Sequence, residues 1–152
     1  MKSLNNYIIE SKLEEININK LINYINENNG IKLSNVLKNI SKNKEFIKLL
    51  NEYDYEYTLD DYPSKEELID GLCDYVCYFI YNAFGDKYKY YNLSDGASAH
   101  WIIFDPNDKL YKDGYDYKGK SDYKDLKWYK NYIKNNISGY KIELSEEIPE
   151  IF

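Results

Sequence analysis

The chain of 152 residues contains no arginine and no glutamine, and it holds one histidine, one methionine, two cysteines and three prolines. Each scarcity excludes something. Cys73 and Cys77 lie too close within one apparent helix for a relaxed disulfide, and two cysteines do not make a structural zinc site, so both are expected to be free thiols. No stretch approaches the roughly 18 apolar residues that a membrane-crossing helix needs, so no membrane partner is expected. The opening MKSLNNYIIESKLEE has no apolar run and no small-residue cleavage site, which leads us to expect no signal peptide and a cytoplasmic protein. The net charge of -6 is spread over interspersed lysines and carboxylates, a pattern that disfavours binding to a phosphate backbone and hence nucleic acid. There is no glycine-rich phosphate loop, serine-centred elbow or HExxH pair. The acidic cluster of Asp54, Glu56, Asp60, Asp61, Glu66 and Glu67 lacks the glycine-centred spacing of a calcium loop and reads as a solvated face. Neither metal nor cofactor is expected.

What is abundant says less about chemistry. Asparagine, isoleucine, lysine and 19 tyrosines suggest an AT-rich coding sequence, with the tyrosines taking amphipathic core and rim positions. The periodicities are more informative and predict a single α+β domain over 1–152. Residues 1–52 form a helical subregion, with Ile18, Leu21, Ile22 and Ile25 on one stripe that stops at Asn28-Asn29-Gly30. A second helix, interrupted near Ser41 to Asn43, carries Val36, Leu37, Ile40, Phe46, Ile47 and Leu50. Residues 53–152 form an α+β core. The alternation of Tyr53 to Leu59 suggests an edge strand or an extended connector, and Ser64 with Glu67 forms a capping box. Asp70-Gly71 breaks the pattern before a helix of about Leu72 to Phe84 that Gly85 closes. Tyr88 and Tyr90, Ala99 to Asp105 and Lys109 to Asp113 read as strands of an antiparallel sheet. Ser121 and Asp122 cap a last helix through Leu126, Tyr129, Tyr132 and Ile133, and Gly139 to Leu144 closes as a strand.

Three residues of this core carry chemistry together. Cys73 follows Gly71 and opens a helix, where unpaired N–H groups and the helix dipole favour a thiolate and can donate to an oxyanion. Taken alone, it reads more readily as an inert buried thiol, because buried inert cysteines outnumber catalytic ones. Cys77, one turn on and in line with Val76, Ile80 and Phe84, reads as core. His100 opens the strand Trp101-Ile102-Ile103-Phe104 after the small segment Asp95 to Ala99. A turn centred on Pro106-Asn107 sets Asp113 directly across from His100, on the same face of the sheet. A bulged loop moves Asp113 to the other face and leaves Asp116 or Asp105 to compete. Trp101, beside the histidine, is the better of the two tryptophans to shape a substrate groove, and Gly71 is a second candidate to touch substrate.

Gly71-Leu72-Cys73 at a helix start, a strand opened by histidine, and then Tyr111-x-Asp113-Gly114 resemble, in that order, the transglutaminase-like branch of the papain-like fold. The resemblance spans residues 66–135. It implies a nucleophile at a helix N-terminus packed on a small antiparallel sheet. In it Cys73 would attack, His100 would act as general base and then acid, and Asp113 would orient the imidazole. The upstream glutamine common in papain-type sites has no counterpart here, which leaves the oxyanion to backbone N–H groups, a tyrosine or an asparagine. The implied reaction is acyl transfer from a peptide or side-chain amide through a thioester, as in a protease, deamidase or transglutaminase, with a protein or peptide as substrate. The rival expectation is a non-enzymatic acidic inhibitor or adaptor, for example phage-encoded, that docks through tyrosines, including a papain-like fold that has lost catalysis.

Overall fold

The computed structural model describes residues 32–135 and 141–150. The helix expected around Ile18 to Ile25 lies outside the described residues. Among those described, five α-helices accompany a four-stranded antiparallel sheet, so the architecture is mixed α+β. Helix α1 (Leu33–Asn39) runs through a 3-10 turn at Ile40–Lys42 into α2 (Lys44–Glu52). The break falls where the sequence suggests, because the Asn43 side chain accepts hydrogen bonds from the Glu45 and Phe46 N–H groups and so starts a new helix. Tyr53 to Leu59 forms no strand and is a connector. Its course is set by Asn51, whose side chain both donates to the Tyr57 carbonyl (2.9 Å) and accepts from the Tyr57 N–H (3.0 Å).

Helix α3 (Lys65–Ile69) begins with the reciprocal Ser64–Glu67 capping box. After Asp70 and Gly71, whose φ of +117° suits glycine, α4 (Cys73–Phe84) follows and stops at Gly85. Strands β1 (Lys89–Ser94), β2 (Ala99–Asp105) and β3 (Leu110–Lys112) lead to α5 (Lys127–Asn135) and β4 (Glu143–Glu146). Asp122 caps the 3-10 turn Tyr123–Asp125 just before α5. The strand order is β3-β2-β1-β4.

Ile102 and Ile103 are adjacent and both fully buried, which is possible only if both faces of the central strand are covered. On one face Ile103 and its partner Tyr90 join a core with Leu37, Phe46, Phe79 and Ile80, contributed by α1, α2 and α4. On the other face Ile102 and Leu93 join a smaller core with Ile69, Leu126 and Trp128. No helix among the described residues is long and apolar enough to cross a membrane.

The hairpin between β2 and β3 differs from the sequence expectation. Asp105 pairs with Leu110, so the loop spans 106–109 rather than Pro106-Asn107 alone, and the register is displaced by two places. The aspartates cause this lengthening. Asp105 accepts from the Asn107 N–H (3.0 Å), Asp108 accepts from the Leu110 N–H (3.1 Å), and Lys109 takes a left-handed φ of +58°. Lys112, almost fully buried, then bonds to Asp105 at 3.1 Å and to Asp108. A displacement of two preserves parity, so Asp113 keeps the side of the sheet that His100 faces.

Beyond β3 the chain turns at Gly114, where an added Cβ would stand 2.7 Å from the Leu68 Cβ in α3. Gly114→Ala should therefore destabilise the protein by about 1–3 kcal/mol, read as a lower urea midpoint at unchanged slope. An unchanged midpoint would show that α3 is not packed against this turn.

Candidate active site

Beyond the end of β3, Asp113 is held as an Asx turn. Its Oδ1 accepts hydrogen bonds from the backbone N–H groups of Tyr115 (2.9 Å) and Asp116 (2.6 Å). This clamp leaves Oδ2 to meet His100 Nε2 at 2.9 Å. Both side chains are buried, His100 at 0% and Asp113 at 2% exposure. The other ring nitrogen, Nδ1, is buried and has no hydrogen-bond partner of ordinary geometry. With Nε2 committed to Asp113, Nδ1 is the atom left for Cys73, whose sulfur lies close enough to His100 to act on its protonation.

The electrostatics oppose one another at this imidazole. Burial, the largest influence, disfavours the imidazolium. The hydrogen bond to Asp113, the contact with Cys73 and the negative charge of both groups outweigh it and push the His100 pKa up to about 9. Burial pushes the Cys77 thiol well above its ordinary value, and the nearby charges of Cys73 and Asp113 add to the effect. The two thiols, one helical turn apart, therefore have different surroundings.

Cys73 is 9% exposed and opens α4, whose N-cap residue Leu72 offers no side-chain cap; within the first turn the Tyr75 N–H is taken by the Asp74 carboxylate at 3.0 Å. Trp128 of α5 lies flat on the imidazole, with centroids 4.9 Å apart and planes 17° apart, and Tyr132 stacks on Trp128 in turn. Trp101, expected beside the groove, instead packs against the larger core on the opposite face, because neighbours along a strand point to opposite sides. Trp128 occupies that place, and the amphipathic spacing of α5 gave no hint that it would meet His100.

A cleft of about 770 Å³ lies near the site, although neither Cys73 nor His100 itself lines it. Gly71, two residues before the cysteine, Ala99, one before the histidine, and Trp128 contribute to its wall. Gly71 is thus on the cleft and Trp101 is not. Among the described residues no cluster of histidine, cysteine and carboxylate side chains could hold a metal ion. Compared with known proteins, the chain matches no family model, no curated protein and no solved structure.

A histidine whose pKa is higher folded than unfolded holds its proton more tightly in the native state. Its stabilisation is complete below the unfolded value of about 6.5 and is lost as pH rises toward 9. Stability should fall by on the order of 3 kcal/mol across this window, and Asp113→Asn should remove most of that slope. Urea unfolding at a series of pH values measures both, and a slope that is unchanged in Asp113→Asn would refute the coupling.

Proposed function

We propose that the protein is a cysteine-dependent acyl-transfer enzyme acting on a peptide or side-chain amide, with a papain-like or transglutaminase-like site. The observation that carries this reading is the buried imidazole with one nitrogen bonded to a carboxylate and the other unpaired beside a thiol at a helix N-terminus. In the reaction Cys73 passes its proton to His100, and the sulfur attacks the amide carbonyl carbon. The C–S bond forms as the carbonyl π electrons move onto oxygen, and first-turn N–H groups of α4 other than that of Tyr75, which Asp74 occupies, donate to that oxyanion. The oxyanion then collapses, the C–N bond breaks, and His100 returns its proton to the departing nitrogen. Water or an amine, deprotonated by His100, next attacks the thioester carbonyl and releases the Cys73 sulfur, which regains a proton. Asp113 fixes the ring orientation and stabilises the imidazolium throughout, and Trp128 shields it from water.

A raised imidazole pKa suits this cycle, since it favours the imidazolium that forms when Cys73 hands over its proton, and that proton is then held for the departing amine. The complete burial of His100 favours a second reading: a papain-like fold retained for protein binding, as an inhibitor or adaptor.

Alkylation by iodoacetamide separates the two readings. Under the first, Cys73 reacts about tenfold faster at pH 7 than an unperturbed thiol, and His100→Ala slows it to the ordinary rate. Cys77 stays unmodified in the folded protein. Site-resolved mass spectrometry over a time course reads both cysteines, and a Cys73 rate no faster than that of a free thiol would sink the enzyme reading.

A further inference from the structure

The cleft beside Cys73 and His100 has an uneven charge. Asp70, at the C-terminal end of α3, and Asp95, in the β1–β2 turn, both line it, and no lysine does. The rest of its lining is small, amide or aromatic, with Asn131, Asn135 and Tyr132 on the α5 side and Trp128 toward the imidazole. Asp95 is a fixed fragment of this wall. Its Oδ1 accepts from the N–H groups of Ala97 (2.8 Å) and Ser98 (2.6 Å), and its Oδ2 accepts from the Tyr132 hydroxyl. The backbone bond from Ser98, the Tyr132 hydroxyl and the backbone bond from Ala97 hold its carboxyl below the usual carboxylate range, so it stays charged across neutral pH. Asp70 is exposed, and its side chain makes none of the hydrogen bonds or ion pairs found among the described residues.

The Tyr132 bond has a second consequence. It ties the turn before β2 to α5, and Tyr132 in turn stacks on the tryptophan that covers His100. The acidic wall and the imidazole are therefore built on one connected frame, joined through Trp128, while His100 itself does not line the cleft. Trp128 stacks on both His100 and Tyr132. A cation entering the cleft would therefore meet carboxylates, and the aromatic side chains offer contact to an alkyl stem.

We infer that this cleft receives a basic side chain, lysine or arginine, of the peptide substrate, with its charge between Asp70 and Asp95 and its stem along Trp128 and Tyr132. This inference rests on the acyl-transfer reading for the identity of the neighbouring reactive group, while the charge preference of the cleft stands on its own lining. The cleft volume is ample for one such side chain, and two carboxylates in the lining disfavour an acidic one.

The test is a binding measurement on the full chain that needs no turnover. The indole N–H resonance of Trp128 is followed while three capped tripeptide amides, Ala-Lys-Ala, Ala-norleucine-Ala and Ala-Glu-Ala, are titrated in low salt. The lysine peptide should bind about five- to tenfold tighter than the norleucine peptide, and the glutamate peptide weakest. Asp70→Asn should reduce the lysine advantage severalfold and leave norleucine affinity unchanged. Equal affinity for lysine and norleucine peptides, or an unaltered lysine advantage in Asp70→Asn, overturns the inference. Iodoacetamide alkylation of Cys73 is read in parallel. A lysine preference without an activated thiol keeps the cleft and removes the enzyme, and an activated thiol without preference does the reverse.

Discussion

Placing an imidazole and a carboxylate together beneath the protein surface costs each its hydration, and much of the local structure around the β2–β3 hairpin offsets that cost for His100 and Asp113. The 2.9 Å bond between them satisfies only one acceptor and one ring nitrogen. The second Asp113 oxygen is satisfied by two backbone N–H groups that exist in the right place only because the chain turns sharply after β3. That turn in turn depends on Gly114 lying tight against Leu68 of α3. Trp128 closes the remaining face of the ring. Removing either partner would strand an unpaired polar group where water cannot replace it, at a cost of several kcal/mol.

The same hairpin buries a second ionic group on its other face. Lys112, beside Ile103 in the sheet, reaches Asp105 and Asp108 and thereby secures the loop at 106–109. The alternation of side chains along β3 thus divides the labour: Lys112 sets the length of the loop, and that length decides where β3 ends and Asp113 begins its turn. A structural ion pair on one side of the sheet positions a chemically capable pair on the other.

The two cysteines illustrate how one helical turn changes the surroundings of a thiol. Cys77 sits fully within the larger core, where burial holds its proton. Cys73 sits at the start of the same helix, at the edge of that core, beside an imidazole and next to a cleft with acidic walls. Helix position, rather than residue type, makes the difference.

Several features were legible in the chain itself because they are local. Asn43, the Ser64–Glu67 box and Gly85 mark helix ends through bonds or φ values that span a few residues, and the periods of 3.6 and 2 separate α4 from the strands that follow. The order of Cys73, His100 and Asp113, and the asymmetry between Cys73 and Cys77, follow from the same short-range patterns. The hairpin register did not, because Asp105, Asp108 and Lys112 compete for one loop through side chains whose partners are chosen only when the sheet forms. The expected cross-strand pairing was off by two places, and Asp113 still reached His100 because an even displacement keeps the face. The sequence ranks Trp128 behind Trp101 for the groove, and Tyr132 and Asp95 could not be assigned to it, since helix α5 and the β1–β2 turn are far apart along the chain and meet only through packing. Sequence determined which residues could do chemistry and which elements would carry them. The tertiary structure decided which tryptophan covers the histidine and which carboxylates line the cleft, because long-range packing and loop geometry are properties of the whole folded chain and not of any window along it.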